Sequence, residues 1–249
     1  MTTPSIFPHG RRILFIGDSI TDGDRSRTGD VNHDLGDTFV RLIAARYGAD
    51  HPADGIEFIN RGINGHRITD LEERWESDCL ALKPDLLSIL VGVNDAASIV
   101  ELSVPAPPRT DGRPPKSLVT REMFRVTYDR LLTLTRRTLP ALRIILCTPF
   151  ILPVDKIGRD WDLWRCEVFL RATMIRELAE KHGAELIEFQ PLFDRASLLA
   201  TPSFWIPDGV HPSAAGHQIM ADEWLRKVVS KVSENCSSDP ISLNNLHHA

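Results

Sequence analysis

A serine near the start of the chain lies where an enzyme of the α/β class would place a nucleophile. A short apolar run over residues 13–16 leads into Gly17-Asp18-Ser19-Ile20. Continuous apolar runs of this kind are typical of strands buried on both faces of a parallel sheet. Ser19 would then follow the carboxyl end of the first strand, where such sheets bind their ligands. The competing interpretation is a serine that caps the next helix, with Asp18 as a turn residue.

An aspartate and a histidine near the other end of the chain could serve as partners for such a serine. Asp208 and His211 stand three residues apart, just before Pro212. In a tight turn this spacing lets the carboxylate accept a hydrogen bond from the imidazole Nδ1–H, which leaves Nε2 as a base. An isolated Asp-x-x-His is usually a turn or a cap. Combined with Ser19, it supplies a nucleophile, a base and a residue that orients the base.

Two further polar segments offer hydrogen-bond donors for an oxyanion. Gly62 follows the second apolar run, and Asn94 follows the third, within Gly92-Val93-Asn94-Asp95. A glycine lets a backbone N–H approach a substrate closely, and an asparagine side chain adds an N–H₂ group. Each segment alone would more often be a turn. All four polar segments follow predicted strands, so we expect them at one rim of the sheet.

The elements that must position these residues alternate between short apolar runs and longer helical segments. Strands are predicted over 13–16, 56–60, 86–91, 144–148 and 185–188, and helices over 37–47, 69–82, 120–138, 161–182 and 213–232. This alternation predicts an α/β/α sandwich with about five parallel strands and with helices on both faces.

The predicted domain organisation is a single domain over residues 1–232 with one insertion. Residues 104–116 contain five prolines, so they cannot form a helix or a central strand. We interpret them as an extended surface loop. Residues 233–249 are polar and are predicted to be a mobile tail.

Composition and charge exclude several classes of protein. The chain carries 29 Lys and Arg against 34 Asp and Glu, a net charge of −5, and so lacks the basic excess typical of nucleic-acid binders. The four cysteines show no metal-ligand spacing, and buried free thiols in a reducing compartment are the better interpretation. No apolar stretch at the start has the length of a signal peptide or membrane span. We therefore predict a cytoplasmic protein without nucleic-acid or membrane partners.

Metal and cofactor sites find little support in the sequence. Residues 18–37 contain six aspartates, and Asp30 to Asp34 begin like a calcium loop. However, Leu35 stands where that loop needs glycine, and Arg41 stands where it needs glutamate. No glycine-rich phosphate-binding motif is present. We predict neither a metal nor a cofactor.

The four polar segments resemble, in order, the four signature blocks of the SGNH (GDSL) hydrolases, with Ile20 in place of the eponymous leucine. The resemblance spans residues 13 to about 230. It implies a flavodoxin-like α/β/α sandwich and metal-free ester hydrolysis. It assigns Ser19 as nucleophile, His211 as general base and then acid, and Asp208 as the orienting residue. The implied oxyanion hole consists of the Ser19 N–H, the Gly62 N–H and the Asn94 side chain.

A narrower resemblance concerns the substrate. Residues 15–22, 74–76, 83–85, 148–150 and 210–217 are similar to an intracellular bacterial subgroup of acetyl-xylooligosaccharide and related carbohydrate acetylesterases. This implies removal of acetyl groups from sugar hydroxyls, and homo-oligomeric assembly in some members. Trp205 lies three residues before Asp208, so it is a candidate for stacking on a sugar ring, although a core position is at least as common for tryptophan. Asp18 is a second candidate substrate contact.

Two alternatives remain open from the sequence. A lysophospholipase, thioesterase or short-chain lipase would use the same catalytic groups and would need an apolar groove for its acyl chain. A non-catalytic sugar-binding or assembly protein could share the fold, because fold alone does not fix function. Acyl-chain preference distinguishes the first alternative from an acetylesterase. Covalent labelling of the serine distinguishes the second alternative from an enzyme.

Overall fold

Five parallel strands form the centre of the computed structural model, which describes residues 11–103 and 118–237, and of residues 229–237 only the backbone. The strands are β1 (Arg12–Gly17), β2 (Glu57–Gly62), β3 (Leu86–Leu90), β4 (Arg143–Thr148) and β5 (Glu185–Glu188). They pair in the order β2-β1-β3-β4-β5, and every pair is parallel. Gly17 lies opposite both Gly62 and Leu90, so the carboxyl ends of the first three strands are level. The predicted fold class is confirmed.

Helices occupy the connections between the strands. In the described residues they are α1 (Ser19–Asp22), α2 (Phe39–Asp50), α3 (Ile68–Glu73), α4 (Trp75–Asp78), α5 (Val93–Ser103), α6 (Arg121–Thr138), α7 (Asp155–Arg159), α8 (Trp161–His182), α9 (Gln190–Ala196), α10 (Pro202–Trp205) and α11 (Ala214–Ser237), with a 3₁₀ turn at Leu80–Leu82. The long helix α8 and the strand β5 have the predicted bounds.

The core has two halves, one on each face of the sheet, because successive side chains of a strand point to opposite faces. Phe15 of β1 packs on one face against Trp224 of α11, with ring centroids 5.2 Å apart. The Trp224 indole N–H donates to the Ser88 hydroxyl at 3.1 Å. Leu14 and Ile16 pack on the other face, in the half of the core that includes α3 and α6. The central strands are therefore buried by helices on both faces of the sheet.

The segment predicted as one helix over 69–82 is divided into three short helical pieces. Arg74 interrupts it, with φ −115° and ψ 9°. The Arg74 guanidinium donates to the carbonyl of Arg61 at 2.7 Å and to that of Gly17 at 3.2 Å. The break thus places a cation against the ends of β1 and β2.

Other predictions need correction as well. The block Gly92–Asp95 leads directly into α5, a helix that is absent from the predicted elements. The backbone of α11 continues five residues beyond the predicted end at 232. Cys79 and Cys147 are buried free thiols, whereas Cys166 is exposed on α8. The Pro-rich segment 104–116 and the tail from 238 onward lie outside the described residues.

Candidate active site

Ser19 is the first residue of α1 and stands just beyond the end of β1. Asp18 makes the turn between the two elements, because its carboxylate accepts the Ile20 N–H at 3.1 Å and its carbonyl accepts the Asp22 N–H at 2.9 Å. The helix cap is therefore Asp18, and Ser19 is left to project from the first turn. As the first N–H of a helix, the Ser19 N–H has no acceptor within that helix.

Asp18 itself is buried beneath the serine. Only 1% of its surface is exposed, and burial raises the pKa of Asp18 to about 7. It is not among the residues that line the cleft beside Ser19. Its surroundings thus indicate a residue that shapes the turn, in place of the substrate contact that we expected.

His211 and Asp208 complete a chain of hydrogen bonds with Ser19. The Ser19 Oγ lies 2.8 Å from His211 Nε2, although 192 residues separate them in sequence. His211 Nδ1 lies 2.6 Å from Asp208 Oδ2. The other Asp208 oxygen accepts the backbone N–H groups of Val210 at 2.9 Å and of His211 at 2.7 Å. This geometry leaves Nε2 directed at the serine hydroxyl, as a base requires.

The turn that carries Asp208 and His211 is fixed on both sides. Gly209 adopts φ +83°, and a Cβ there would lie 2.7 Å from the carbonyl oxygen of Leu152, so only glycine fits without strain. Leu152 in turn donates its N–H to the Gly209 carbonyl at 3.0 Å. After the turn, Ser213 donates its N–H to the Trp205 carbonyl at 2.8 Å.

Trp205 therefore supports this turn instead of facing the cleft. Its indole N–H donates to the Ala196 carbonyl at 2.9 Å, and its ring packs partly buried against the core. It does not line the cleft at Ser19. These contacts favour the core interpretation over sugar stacking.

The protonation states of Asp208 and His211 are set by the contacts that the two side chains make. Partial burial opposes ionisation of Asp208, but the hydrogen bonds from the His211 ring and from two backbone N–H groups outweigh it and hold the pKa of Asp208 far below its usual range. The hydrogen bond to Asp208 raises the pKa of His211, against the effect of its partial burial. A carboxylate that stays ionised beside an imidazole of raised basicity stabilises the imidazolium that forms when the serine is deprotonated.

Asn94 lies at the start of α5, near the loop of residues 63–67 that follows β2 (the β2 loop). Its amide Nδ2 donates to the His66 carbonyl at 3.2 Å, and none of the other described hydrogen bonds uses that amide's second hydrogen. The neighbouring Asp95 is fully buried, and its carboxylate accepts the Ile68 N–H at 3.1 Å. The buried Arg171 donates to the Asp95 carbonyl at 3.0 Å. These contacts fix Asn94 in advance of any substrate.

Gly62 does not supply a ready backbone donor. Its N–H donates to the Asn60 side chain at 2.8 Å, and a Cβ on it would lie 2.3 Å from the backbone nitrogen of Asp22. Glycine is needed here because α1 packs directly on this residue. Gly65, the second glycine of the same loop, has φ +74° and precedes His66, whose carbonyl accepts the Asn94 amide. In the sequence, the signal that could have pointed to Gly65 is that it is the second glycine of the segment Gly62-Ile63-Asn64-Gly65.

A cleft of about 270 Å³ opens beside Ser19 and His211. Its remaining lining residues come from α1, the loop after it, the β2 loop and the start of α11: Ile20, Asp22, Gly23, Asp24, Asn64, Pro212 and His217. Over residues 11–103 and 118–237, no three His, Cys, Asp or Glu side chains form a group that could hold a metal ion. In the same ranges no helix combines the length and apolar character needed to cross a bilayer.

The family model of the GDSL-like lipases and acylhydrolases matches residues 15–219. The chain belongs to this family. It is a carboxylic ester hydrolase, and the Ser19–His211–Asp208 chain lies within the matched region.

Characterised relatives agree with this assignment. The chain is 32% identical over 223 residues to an acetylxylan esterase of Geobacillus stearothermophilus, covering 88% of this chain and 94% of the relative. The crystal structure of an acetylxylan esterase from the same organism matches with a TM-score of 0.75 and 30% identity, over 92% of this chain and 96% of the other. An α/β-hydrolase enzyme from the metagenome of Lake Arreo, Spain, matches with a TM-score of 0.76 and 30% identity, over 90% and 97%. Solved catalytic mutants of the Geobacillus esterase replace a serine, an aspartate or a histidine by alanine.

Proposed function

We propose that this esterase removes acetyl groups from O-acetylated saccharides through an acetyl-Ser19 intermediate. The observation that carries the proposal is the hydrogen-bonded chain from Ser19 through His211 to Asp208 at the end of β1. The similar Geobacillus enzyme is an acetylxylan esterase, which supports an acetylated saccharide as substrate.

In the first half of the reaction, the Ser19 Oγ attacks the carbonyl carbon of the acetyl group while its proton moves to His211 Nε2. Asp208 stabilises the resulting imidazolium. The tetrahedral intermediate then collapses, the bond from the carbonyl carbon to the sugar oxygen breaks, and His211 gives its proton to that oxygen. The products of this half are the free sugar hydroxyl and acetyl-Ser19.

In the second half, water takes the place of the sugar. His211 Nε2 accepts a proton from the water as its oxygen attacks the acetyl carbonyl carbon. The bond from that carbon to the Ser19 Oγ breaks, and the proton returns to the serine. Acetic acid leaves, and the enzyme regains its starting state.

The negative oxygen of both intermediates needs donors that are already in place. We propose the Ser19 N–H and the Asn94 side-chain amide for this role. From the loop that follows β2 we propose Gly65, because it directly precedes His66, whose carbonyl accepts the Asn94 amide.

The proposed substrate predicts a sharp preference for acetate over longer acyl chains. Hydrolysis of 4-nitrophenyl esters should fall at least about tenfold in kcat/KM from acetate to octanoate, because a site that recognises acetyl esters does not bury the longer chain and so gains little of the roughly 0.8 kcal/mol that burial of each CH₂ can provide. Acetate should also be released from acetylated xylo-oligosaccharides. A profile from acetate through decanoate, with acetate release measured in parallel, checks this. A preference for octanoate or decanoate would favour the lipase or thioesterase alternative instead.

We also propose that the protein acts inside the cell as a homo-oligomer. The exposed free thiol of Cys166 is compatible with a reducing compartment. Leu198, Leu199 and Phe204 are 86%, 84% and 54% exposed within a short stretch of chain, and large exposed apolar groups of this kind favour a protein contact. Light scattering should give a mass that is a multiple of the 27.9 kDa chain, and a mass equal to the single chain would contradict oligomerisation.

A further inference from the structure

His217 is a buried polar side chain that lines the cleft and has no assigned role in the reaction. It is 9% exposed, and it lies six residues after His211, near the start of α11. Its Nδ1 accepts the Phe39 N–H at 3.2 Å, and its ring stacks on Phe39 with an interplanar angle of 12°. The ring orientation is thus fixed from the core side.

The tautomer of His217 follows from this contact. Because Nδ1 accepts a backbone N–H, the ring of the neutral histidine carries its proton on Nε2. Burial lowers the pKa of His217 to about 4, with a further contribution from His211, so the ring remains neutral near pH 7. None of the described hydrogen bonds uses Nε2. His217 therefore offers one N–H donor to the cleft without adding a charge that would oppose the His211 imidazolium.

Two exposed polar side chains line the same cleft. Asp24 adopts φ +52°, a conformation uncommon for residues other than glycine, and its carboxylate takes part in none of the described hydrogen bonds or ion pairs. Asn64 is fixed through its backbone, since its N–H donates to the Asp22 carboxylate at 2.9 Å. The Asn64 side-chain amide enters none of the described hydrogen bonds.

The chemistry of the reaction indicates which part of the ester these groups meet. His211 must give its proton to the departing alcohol oxygen, so the alcohol lies on the His211 side of Ser19. His211, Pro212 and His217 line that same cleft together, whereas the oxyanion donor Asn94 is not part of its lining. The three polar groups therefore face the alcohol part of the substrate, and the acetyl oxygen faces Asn94.

We propose that His217, Asp24 and Asn64 form a binding site for the hydroxyl groups of a polyol alcohol, next to the ester bond. A hydroxyl group both donates and accepts hydrogen bonds, and the site offers a donor in His217, an acceptor in Asp24 and both functions in Asn64. This inference rests on the proposed esterase function and specifies what the enzyme recognises in the leaving alcohol. The carboxylate of Asp24 also disfavours alcohols that carry a negative charge near the ester.

The test compares two acetate esters that differ in hydroxyl groups on the alcohol, glycerol monoacetate and ethyl acetate. The quantity measured is the ratio of their kcat/KM values. His217→Asn retains an oxygen near the position of Nδ1 for the Phe39 N–H and removes the cleft donor, whereas His217→Gln retains an amide N–H₂ near the position of Nε2. We expect the ratio to fall about tenfold in His217→Asn and in Asp24→Ala, as for loss of one hydrogen bond. In His217→Gln the ratio should stay within about twofold of wild type.

Matched controls make the outcome specific. Gln218→Ala changes the exposed neighbour of His217 on the same helix and should leave both rates and their ratio unchanged. Thermal unfolding of each variant identifies losses of fold, which would lower both kcat/KM values together. A ratio unchanged in both His217→Asn and Asp24→Ala would overturn the polyol site. If wild type prefers glycerol monoacetate but releases no acetate from acetylated oligosaccharides, the saccharide proposal fails and the polyol site is supported.

Discussion

Ser19→Ala should lose turnover of 4-nitrophenyl acetate by on the order of 10⁶-fold in kcat, because removal of the nucleophile from a serine triad leaves only the contributions of binding and of the oxyanion donors. The Ser19 Oγ is the oxygen within hydrogen-bond reach of the His211 base, at 2.8 Å. The nearby Thr21 hydroxyl is not expected to take over, since Thr21 is a buried residue of α1. Initial rates at several enzyme concentrations measure the loss.

A matched serine variant controls for this result. Ser77→Ala removes an exposed hydroxyl whose hydrogen bond to the Arg74 carbonyl is local, so activity should remain at the wild-type level. Both variants should unfold at nearly the same temperature as wild type. A Ser19→Ala protein that retains a tenth or more of the wild-type rate would contradict the assignment of Ser19.

His211→Ala should reduce kcat by a similar factor, because the serine hydroxyl then has no base to accept its proton and the leaving alcohol has no acid. The chain contains an unusually close control for this variant. His33 forms the same Asp-x-x-His pair with Asp30, at 2.7 Å between Nδ1 and the carboxylate, on an exposed loop. His33→Ala should keep full activity, although it removes an equivalent pair. Equal loss in both variants would indicate a structural effect instead of base catalysis.

The pH profile provides a second readout for His211. As a base it must be neutral, and its hydrogen bond to Asp208 raises its pKa above the usual 6.5. The value of kcat/KM should therefore rise with pH, with a midpoint above 6.5, and fall as pH decreases and the imidazole becomes protonated. In Asp208→Asn the midpoint should move to lower pH, and the rate should also fall because the tautomer is no longer fixed. A wild-type midpoint below 6.5 would contradict the account.

The two Asp-x-x-His segments show what the sequence could and could not predict. Asp30 with His33 and Asp208 with His211 have the same spacing and form the same local hydrogen bond. Spacing alone cannot distinguish them, since the difference lies in which pair the folded chain brings to Ser19. The position of the second pair after the last strand, together with the family resemblance, favoured the pair that the folded chain brings to Ser19. The fold class could be predicted from the sequence, because runs such as 86–91 are apolar on both faces. Such strands are typical of a parallel sheet that is covered by helices on both sides.

What the sequence could not predict are contacts that depend on tertiary packing. Gly62 and Gly65 look equivalent in the sequence, and only the close approach of α1 to Gly62 shows that the first glycine is required for packing. Trp205 could equally have stacked on a sugar or packed in the core, and its hydrogen bond to Ala196 favours the core. His217 packs on Phe39, and its position in the cleft could not be inferred from helix periodicity.

Covalent labelling with a fluorophosphonate probe, followed by intact mass measurement and peptide mapping, tests the central claim most directly. The probe reacts with a serine that has been activated as a nucleophile. We predict one label per chain, located on Ser19, with loss of esterase activity in proportion to labelling and no label on His211→Ala. A label on a different residue, or full activity after complete labelling of Ser19, would contradict the proposed mechanism.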